Sequence, residues 1–401
     1  MLGIFGKSVS TDKNKINTAL ERSVVEVISK EELERELGKG KKLRIKLGID
    51  PTSPNIHLGR AVQLLKLKDF QDLGHTIVFI IGDATGVVGD TSDKESERPM
   101  LSHDEVRSNA QTYFEQAGMV LDMSLVEKRY NSEWLNELTY KEIGEHADQF
   151  SVSDFIAREN IKRRLDNGKR VSLREVLYPL MQGYDSVAVK ADVEIGGTDQ
   201  RFNLLAGRKL QEHGGQKPQH VLTTELISGI DGRKMSSSWG NTINLTTSPS
   251  DMYGKVMSIK DETIISYFTA VTRVSLSEVK DIEKSLKEGS NPRDSKMRLA
   301  KEIVSIFHGD ESARRAEDDF TKTFQKKETP SDMPQVFVKK GTTLSEALKD
   351  NISSKSELRR LVKDGAVSVI GGDIVTEFEY LITKDTTFKI GKRKFIEVKI
   401  T

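Results

Sequence analysis

The sequence contains no cysteine. Disulfides, thiolate metal sites, iron–sulfur clusters and a cysteine nucleophile are thereby excluded, and a reducing compartment such as the cytoplasm is expected. A long apolar run is also missing. The longest stretch, Ile77 to Ile81, falls far short of the roughly 20 residues that span a membrane, so no membrane partner is expected. The first residues, MLGIFGKSVSTDKNK, have no apolar core, and no secretory signal is expected. An excess of one charge sign is absent too: 62 Lys and Arg face 61 Asp and Glu, a formal net of +1. That argues against a strongly basic packaging protein and against an acidic disordered chain. The seven histidines show no metal-ligand spacing such as HExxH, so no structural metal is expected.

What is present is a globular composition, with 31% charged and 36% hydrophobic residues over 401 positions, enough for two to four domains at roughly 100–200 residues each. The first half alternates strand-like and helix-like segments. Residues 43–49 and 76–81 read as strands, 58–73 as a helix stopped by Gly74, 189–194 and 220–227 as further strands, and 200–212 as a helix between them. This alternation predicts an α/β fold with a parallel sheet and ligands at the carboxyl ends of its strands. From 251 to 319 the pattern is almost wholly helical, with Leu299, Ile303 and Ile306 on one stripe and Gly309 as a stop. The TPSDMP stretch reads as a linker. A small unit follows, with a helix over 354–364 and short strands around Gly371-Gly372. The expected domains are 1–245, 246–328, a linker at 329–340, and 341–401.

Two loops carry the chemistry. Gly48 to Arg60 (GIDPTSPNIHLGR) joins a strand to a helix, where backbone N–H groups and a positive dipole end suit a phosphate. Thr52 and His57 are candidate donors, and Gly59 lets a base approach the backbone. An ordinary turn with a surface histidine would look the same. Gly232 to Ser238 (GRKMSSS) offers two cations and three hydroxyls to a polyphosphate, although a solvated basic turn fits this segment alone. Lys234 follows His57 by 177 residues. This pairing resembles the two signature motifs of class I aminoacyl-tRNA synthetases.

Three further segments narrow the family. In YPLMQGYD, Tyr178, Gln182 and Asp185 fall at i, i+4 and i+7, one polar face if the segment is helical. An amphipathic surface helix would share that spacing but explains Leu180 and Met181 less well. GGTDQRFN (Gly196 to Asn203) and GDATGVVGD (Gly82 to Asp90) are glycine-rich strand exits ending in or containing carboxylates. A plain helix cap or turn is the simpler reading of each alone. Together with NPRDSKMRLAKEIV (Asn291 to Val304) and SELRRLVKDGAVSV (Ser356 to Val369), they resemble bacterial tyrosyl-tRNA synthetases over nearly the whole chain.

The resemblance implies a Rossmann-like catalytic domain, an all-α domain and a small α+β RNA-binding domain. It implies ATP as substrate with Mg²⁺, L-tyrosine and tRNA(Tyr) as partners, and a homodimer. It places Asp90, Tyr178 and Gln182 at the substrate ammonium and Asp185 at the phenol, with Gln200 near the carboxylate and α-phosphate. Asp199 and Gly197 fall at the ribose and Asp50 at the adenylate. Gly59, Arg60, Arg233 and Ser237 fall in the ATP site, and Thr52, His57 and Lys234 at the departing pyrophosphate. Lys94 and Arg98 are further pyrophosphate candidates. The basic tail helix offers Arg359, Arg360 and Lys363 to tRNA. From 338 to 401 there are 13 Lys and Arg against 9 Asp and Glu, a net of +4 that the whole-chain balance conceals.

Three positions depart from the family pattern. Lys46 stands where many members have a phenol-contacting Tyr, although a second bacterial branch has this KLGIDPT form. Arg60 replaces the second His of HxGH. Ser237 replaces the second Lys of KMSKS, for which Arg233 is a candidate substitute. A tryptophanyl enzyme, a small nucleotidyltransferase and an inactive RNA-binding relative are the competing readings. The intact Asp90, Tyr178, Gln182, Asp185 and Asp199 and the extra domains argue against them.

Overall fold

Thr76–Ile81 has the sequence TIVFII, and from Ile77 onward every side chain is buried. Such a strand must lie inside a sheet covered on both faces. The computed structural model describes residues 9–90, 100–325, 333–349, 351–352, 354–370, 372–391 and 394–401. In it this segment is the third of six strands: β1 Val24–Ile28, β2 Arg44–Ile49, β3 Thr76–Ile81, β4 Val126–Tyr130, β5 Val193–Gly197 and β6 His220–Thr224. Their order is β1-β6-β5-β2-β3-β4. Neighbours pair in parallel except β1, which runs antiparallel to β6.

The chain leaves β2 toward β3 and β4 on one side, and later fills β5 and β6 on the other. The strand order therefore reverses between β2 and β5, and a crevice opens there at the carboxyl ends. Asp50, Gly82 and Gly197 all stand at strand exits facing it. This is the Rossmann-like α/β arrangement expected of the first part.

Sequence periodicity misplaced one strand and missed two. Val189, expected to begin a strand, is the last residue of the helix Leu173–Val189, which ends at Lys190 in the left-handed region (φ 50°). The strand starts four residues later. β1 and β4 are edge strands of mixed polarity (VVEVI, VEKRY), which show neither a continuous apolar run nor a clean alternation.

The chain forms two compact units. The first is Met1–Thr246 with Ile259–Pro292, and the second is Thr247–Ser258 with Arg293–Thr401. The helices Ile264–Val271 and Leu276–Lys287 thus belong with the sheet, although their periodicity reads like that of the helical part. Packing explains it: Tyr267 is buried and its hydroxyl donates to the Ser228 carbonyl at 2.5 Å. The Arg22 guanidinium donates to the carbonyls of Thr269, Thr272 and Val274.

In the second unit the helix Pro292–His308 buries Leu299, Ile303 and Phe307, while Ile306 is only half-buried. Gly309 (φ 83°) ends it. A four-stranded sheet of order β7-β10-β9-β8 completes this unit, built from β7 Gln335–Val338, β8 Val367–Val369, β9 Thr386–Ile390 and β10 Lys394–Ile400. β7 pairs in parallel with β10, so residues 335–338, read from sequence as linker, are part of a sheet. The helix Lys355–Lys363 places Leu358 and Val362 in the core with Phe388, Ile396 and Val398.

Candidate active site

Asp50 follows β2 and is the hub of the crevice. Its Oδ2 accepts the Tyr178 hydroxyl and its Oδ1 the Thr85 hydroxyl, both at 2.7 Å. Burial pushes its carboxyl up to about 6 despite these donors, and the nearby Asp90 adds to the rise. The Tyr178 phenol is raised well above its ordinary value by burial and by the Asp50 carboxylate. Gly82 makes the cluster possible. A Cβ there would stand 2.1 Å from Asp50 Oδ1 and 2.4 Å from Thr85 Oγ1.

The YPLMQGYD segment is helical, running unbroken through Pro179 within Leu173–Val189. Tyr178, Gln182 and Asp185 face the cavity together. Asp185 Oδ1 accepts the Trp134 indole N–H at 2.8 Å, and Oδ2 lies 3.3 Å from the Asn131 amide. Burial raises this carboxyl to about 7, opposed by the Lys46 ammonium. Asn131 also donates to Thr85 Oγ1 at 2.8 Å. A continuous path of hydrogen bonds therefore links Asp185, Asn131, Thr85, Asp50 and Tyr178. Sequence reading missed Asn131 and Trp134, which follow the unrecognised edge strand β4.

At the exit of β5, Gln200 Nε2 donates to Asp90 Oδ2 at 2.6 Å, and Asn203 bridges the side-chain carbonyls of Gln200 and Gln182 at 3.0 and 3.1 Å. The candidate ammonium and carboxylate contacts thus form one network. Asp199 Oδ2 lies 2.9 Å from Lys234 Nζ.

The two loops separated by 177 residues meet. The Gly59 N–H points at Met235 Sδ at 3.3 Å, Ser53 and Ser237 hydroxyls are 3.3 Å apart, and the Leu58 N–H donates to the Ile243 carbonyl at 2.8 Å. Thr52, His57, Gly59, Arg60, Gly197, Lys234 and Ser237 all line the cavity. A Cβ on Gly59 would approach the His57 ring to 3.0 Å. Arg60 donates to the Asp50 carbonyl at 2.8 Å, which holds its guanidinium beside the cavity. Arg233 is the exception. It turns away onto Asp231, with Nη2 at 2.6 Å, and stacks over the Trp239 ring at 4.8 Å. The Asn241 amide and Arg233 together hold Asp231 down at about 2.

The family described as "tRNA synthetases class I (W and Y)" matches residues 38–325. The tyrosine–tRNA ligase of Thermotoga maritima is 46% identical over 385 residues, spanning 94% of this chain and 96% of its own. This chain belongs to the tyrosyl-tRNA synthetase family. The corresponding ligase of Moorella thermoacetica is 45% identical, covering 94% of each chain. Among solved structures, the tyrosyl-tRNA synthetase of Archaeoglobus fulgidus complexed with L-tyrosine has a TM-score of 0.60 at 22% identity, covering 76% of this chain and 99% of its own. That likeness concerns the fold. The Coccidioides posadasii mitochondrial enzyme, C-terminally truncated, gives 0.62 at 24% over 76% of this chain and 91% of its own.

The candidate residues that line the cavity all belong to the first unit. Lys94 and Arg98 lie outside the described residues. Arg359, Arg360 and Lys363 are exposed on the tail helix in the second unit, with Arg359 over the Phe378 ring at 4.7 Å. Among the described residues no three His, Asp or Glu side chains form a metal-ligating group, and no helix is long and apolar enough to cross a membrane.

Proposed function

We propose that the chain activates L-tyrosine with ATP to give tyrosyl-adenylate and pyrophosphate, then transfers tyrosine to the 3′ end of tRNA(Tyr). The observation that carries this reading is the buried Asp185, held by the Trp134 and Asn131 donors in a cavity that His57, Asp199 and Lys234 also line. The first suits a phenol and the other three a nucleotide.

The tyrosine carboxylate attacks the α-phosphorus, a P–O bond forms, and the bond to pyrophosphate breaks. The nucleophile is already ionised, so no general base is needed. Asp90, Tyr178 and Gln182 hold the ammonium, and Gln200 orients the carboxylate toward phosphorus. Asp199 and the Gly197 backbone take the ribose, and Asp50 sits at the adenylate. Thr52, His57, Arg60 and Lys234 stand where charge grows on pyrophosphate. Mg²⁺ arriving on the ATP phosphates would neutralise that same charge. In the second step a ribose hydroxyl at the tRNA 3′ end attacks the adenylate carbonyl and AMP leaves. The exposed Arg359, Arg360 and Lys363 offer phosphate contacts to the tRNA. The protein is read as a cytoplasmic homodimer, for which the exposed Tyr140, Val152 and Leu173 supply apolar surface.

Discrimination against phenylalanine follows from denying Asp185 the phenol donor that the site is built to bind, a loss worth up to roughly 10⁴–10⁵ in selectivity. ATP–pyrophosphate exchange with tyrosine, phenylalanine and tryptophan in parallel tests the reading. Exchange supported by tyrosine alone is expected, and exchange with tryptophan instead would overturn it.

A further inference from the structure

Lys46 is fully buried in the middle of the sheet, opposite Glu194 in the β2–β5 register and therefore at the point where the strand order reverses. Its ammonium lies 2.9 Å from Glu194 Oε1, 2.8 Å from Ser186 Oγ and 3.0 Å from the Gln182 carbonyl. Glu194 is equally buried and collects the Ser186 hydroxyl at 3.0 Å, the Gln219 amide, and the Gln182 amide at 3.4 Å. Ammonium and carboxylate are thus both hydrogen-bonded, and Gly207 makes room for them: a Cβ there would stand 2.7 Å from Gln219 Nε2 and 2.8 Å from Ser186 Oγ.

A buried ion pair is a poor way to stabilise a sheet, since apolar residues of similar volume generally serve as well or better. Its position suggests a different use. Glu194, Gln182 and Asp185 line the same cavity, and Lys46, 2.9 Å from Glu194, is the cation behind them. Lys46 also grips the helix Leu173–Val189 at Gln182 and Ser186, either side of Asp185.

We propose that Lys46 is a positioning residue that sets tyrosine specificity: it fixes the helix turn carrying Gln182 and Asp185, and its charge offsets that of Glu194 beside the phenol acceptor. The proposal rests on the reading of Asp185 as the phenol acceptor. Without Lys46, Glu194 repels an ionised Asp185 unopposed, and a protonated Asp185 competes as a donor with the phenol it should accept. Removing Glu194 as well relieves that repulsion.

The test is tyrosine- and phenylalanine-dependent ATP–pyrophosphate exchange by the full chain, comparing wild type with Lys46→Met, Lys46→Arg and Lys46→Met/Glu194→Gln. Lys46→Met is expected to raise KM for tyrosine roughly 10- to 100-fold, leave kcat and the ATP KM nearly unchanged, and lower the tyrosine/phenylalanine ratio. Lys46→Arg and the double variant are expected to recover most of both losses. A folded Lys46→Met with unchanged tyrosine KM overturns the proposal, as does a double variant no better than the single. Should Lys46→Met not fold, Lys46→Gln carries the test against wild type: a raised tyrosine KM with a reduced tyrosine/phenylalanine ratio supports the proposal, and unchanged values overturn it. Wild-type protein that fails to exchange with tyrosine overturns the tyrosine reading itself, a result distinct from any variant's.

Discussion

The Tyr178 hydroxyl donates to Asp50 Oδ2 at 2.7 Å across 128 residues of sequence, tying the helix that carries the candidate amino-acid contacts to the strand exit that carries the candidate nucleotide loop. Both partners line the cavity, and the same carboxylate is shared with Thr85. Tyr178→Phe keeps the ring's packing and removes only the donor. Leaving a buried acceptor short of a partner costs about 1–3 kcal/mol, so kcat/KM for tyrosine is expected to fall roughly 10- to 100-fold. Exchange kinetics on folded Tyr178→Phe measure this, and an unchanged kcat/KM would count against the role of the bond.

Under the proposed role of Asp185, tyrosine recognition is expected to depend on pH. Burial raises its carboxyl from the ordinary 3.8 to about 7 in the folded protein. The proton is therefore held more tightly in the folded state. That contribution to stability is fully present below the unfolded value and is lost as pH rises through about 7. Asp185→Asn has no such titration, so its thermal stability relative to wild type is expected to improve between about pH 4 and 7. Activity runs the other way. The ionised carboxylate is the better acceptor for a phenol, and wild-type kcat/KM for tyrosine is expected to climb as pH passes 7. A flat profile would remove Asp185 from that role.

Glycine positions separate site from scaffold. Gly82→Ala would push a methyl between Asp50 and Thr85, with no space on either side. A loss of about 1–3 kcal/mol is expected, roughly 2–4 °C in Tm for each kcal/mol. Activity should fall further than stability, because Asp50 must move. Gly144 lies inside the helix Tyr140–Ala147 with nothing within 4 Å of an added Cβ. Gly144→Ala is expected to stabilise by about 0.5–1 kcal/mol through helix propensity alone. Equal Tm changes in the two variants would contradict the packing argument.

The sheet and both loops were legible in the sequence wherever burial is uniform or a motif has fixed spacing. TIVFII announces a central strand, and the helical spacing of Tyr178, Gln182 and Asp185 survives the proline between them. What was illegible depends on tertiary neighbours. The edge strand VEKRY carries no period, so Asn131 and Trp134 behind it were invisible as partners of Asp185. The helix Ile264–Val271 reads like the helices after it, and only the burial of Tyr267 and the Arg22 contacts assign it to the sheet. Lys46 stood out as a departure from the family pattern, but its partner Glu194 did not, because the register of β2 against β5 cannot be counted along the chain.

Adjacent cations in the second loop have opposite fates. Lys234 lines the cavity and pairs with Asp199 at 2.9 Å, so an arriving nucleotide would meet its ammonium directly. Arg233 is held outside by two contacts of its own, the Asp231 carboxylate and the Trp239 ring. Asp231 is in turn anchored by the Asn241 amide at 2.8 Å, which also binds the Lys234 carbonyl at 3.0 Å. Arg233 thus braces the loop from outside and stands away from the cavity that Ser237 lines. Lys234→Ala is expected to slow adenylate formation by about 10²–10³, the scale for losing one group that stabilises developing charge. Arg233→Ala is expected to leave that rate within about threefold, since an exposed ion pair contributes little. Pre-steady-state measurement of adenylate formation in the two variants decides between them. A sharp loss in Arg233→Ala would mean that the arginine swings into the cavity when ATP binds and supplies the missing charge after all.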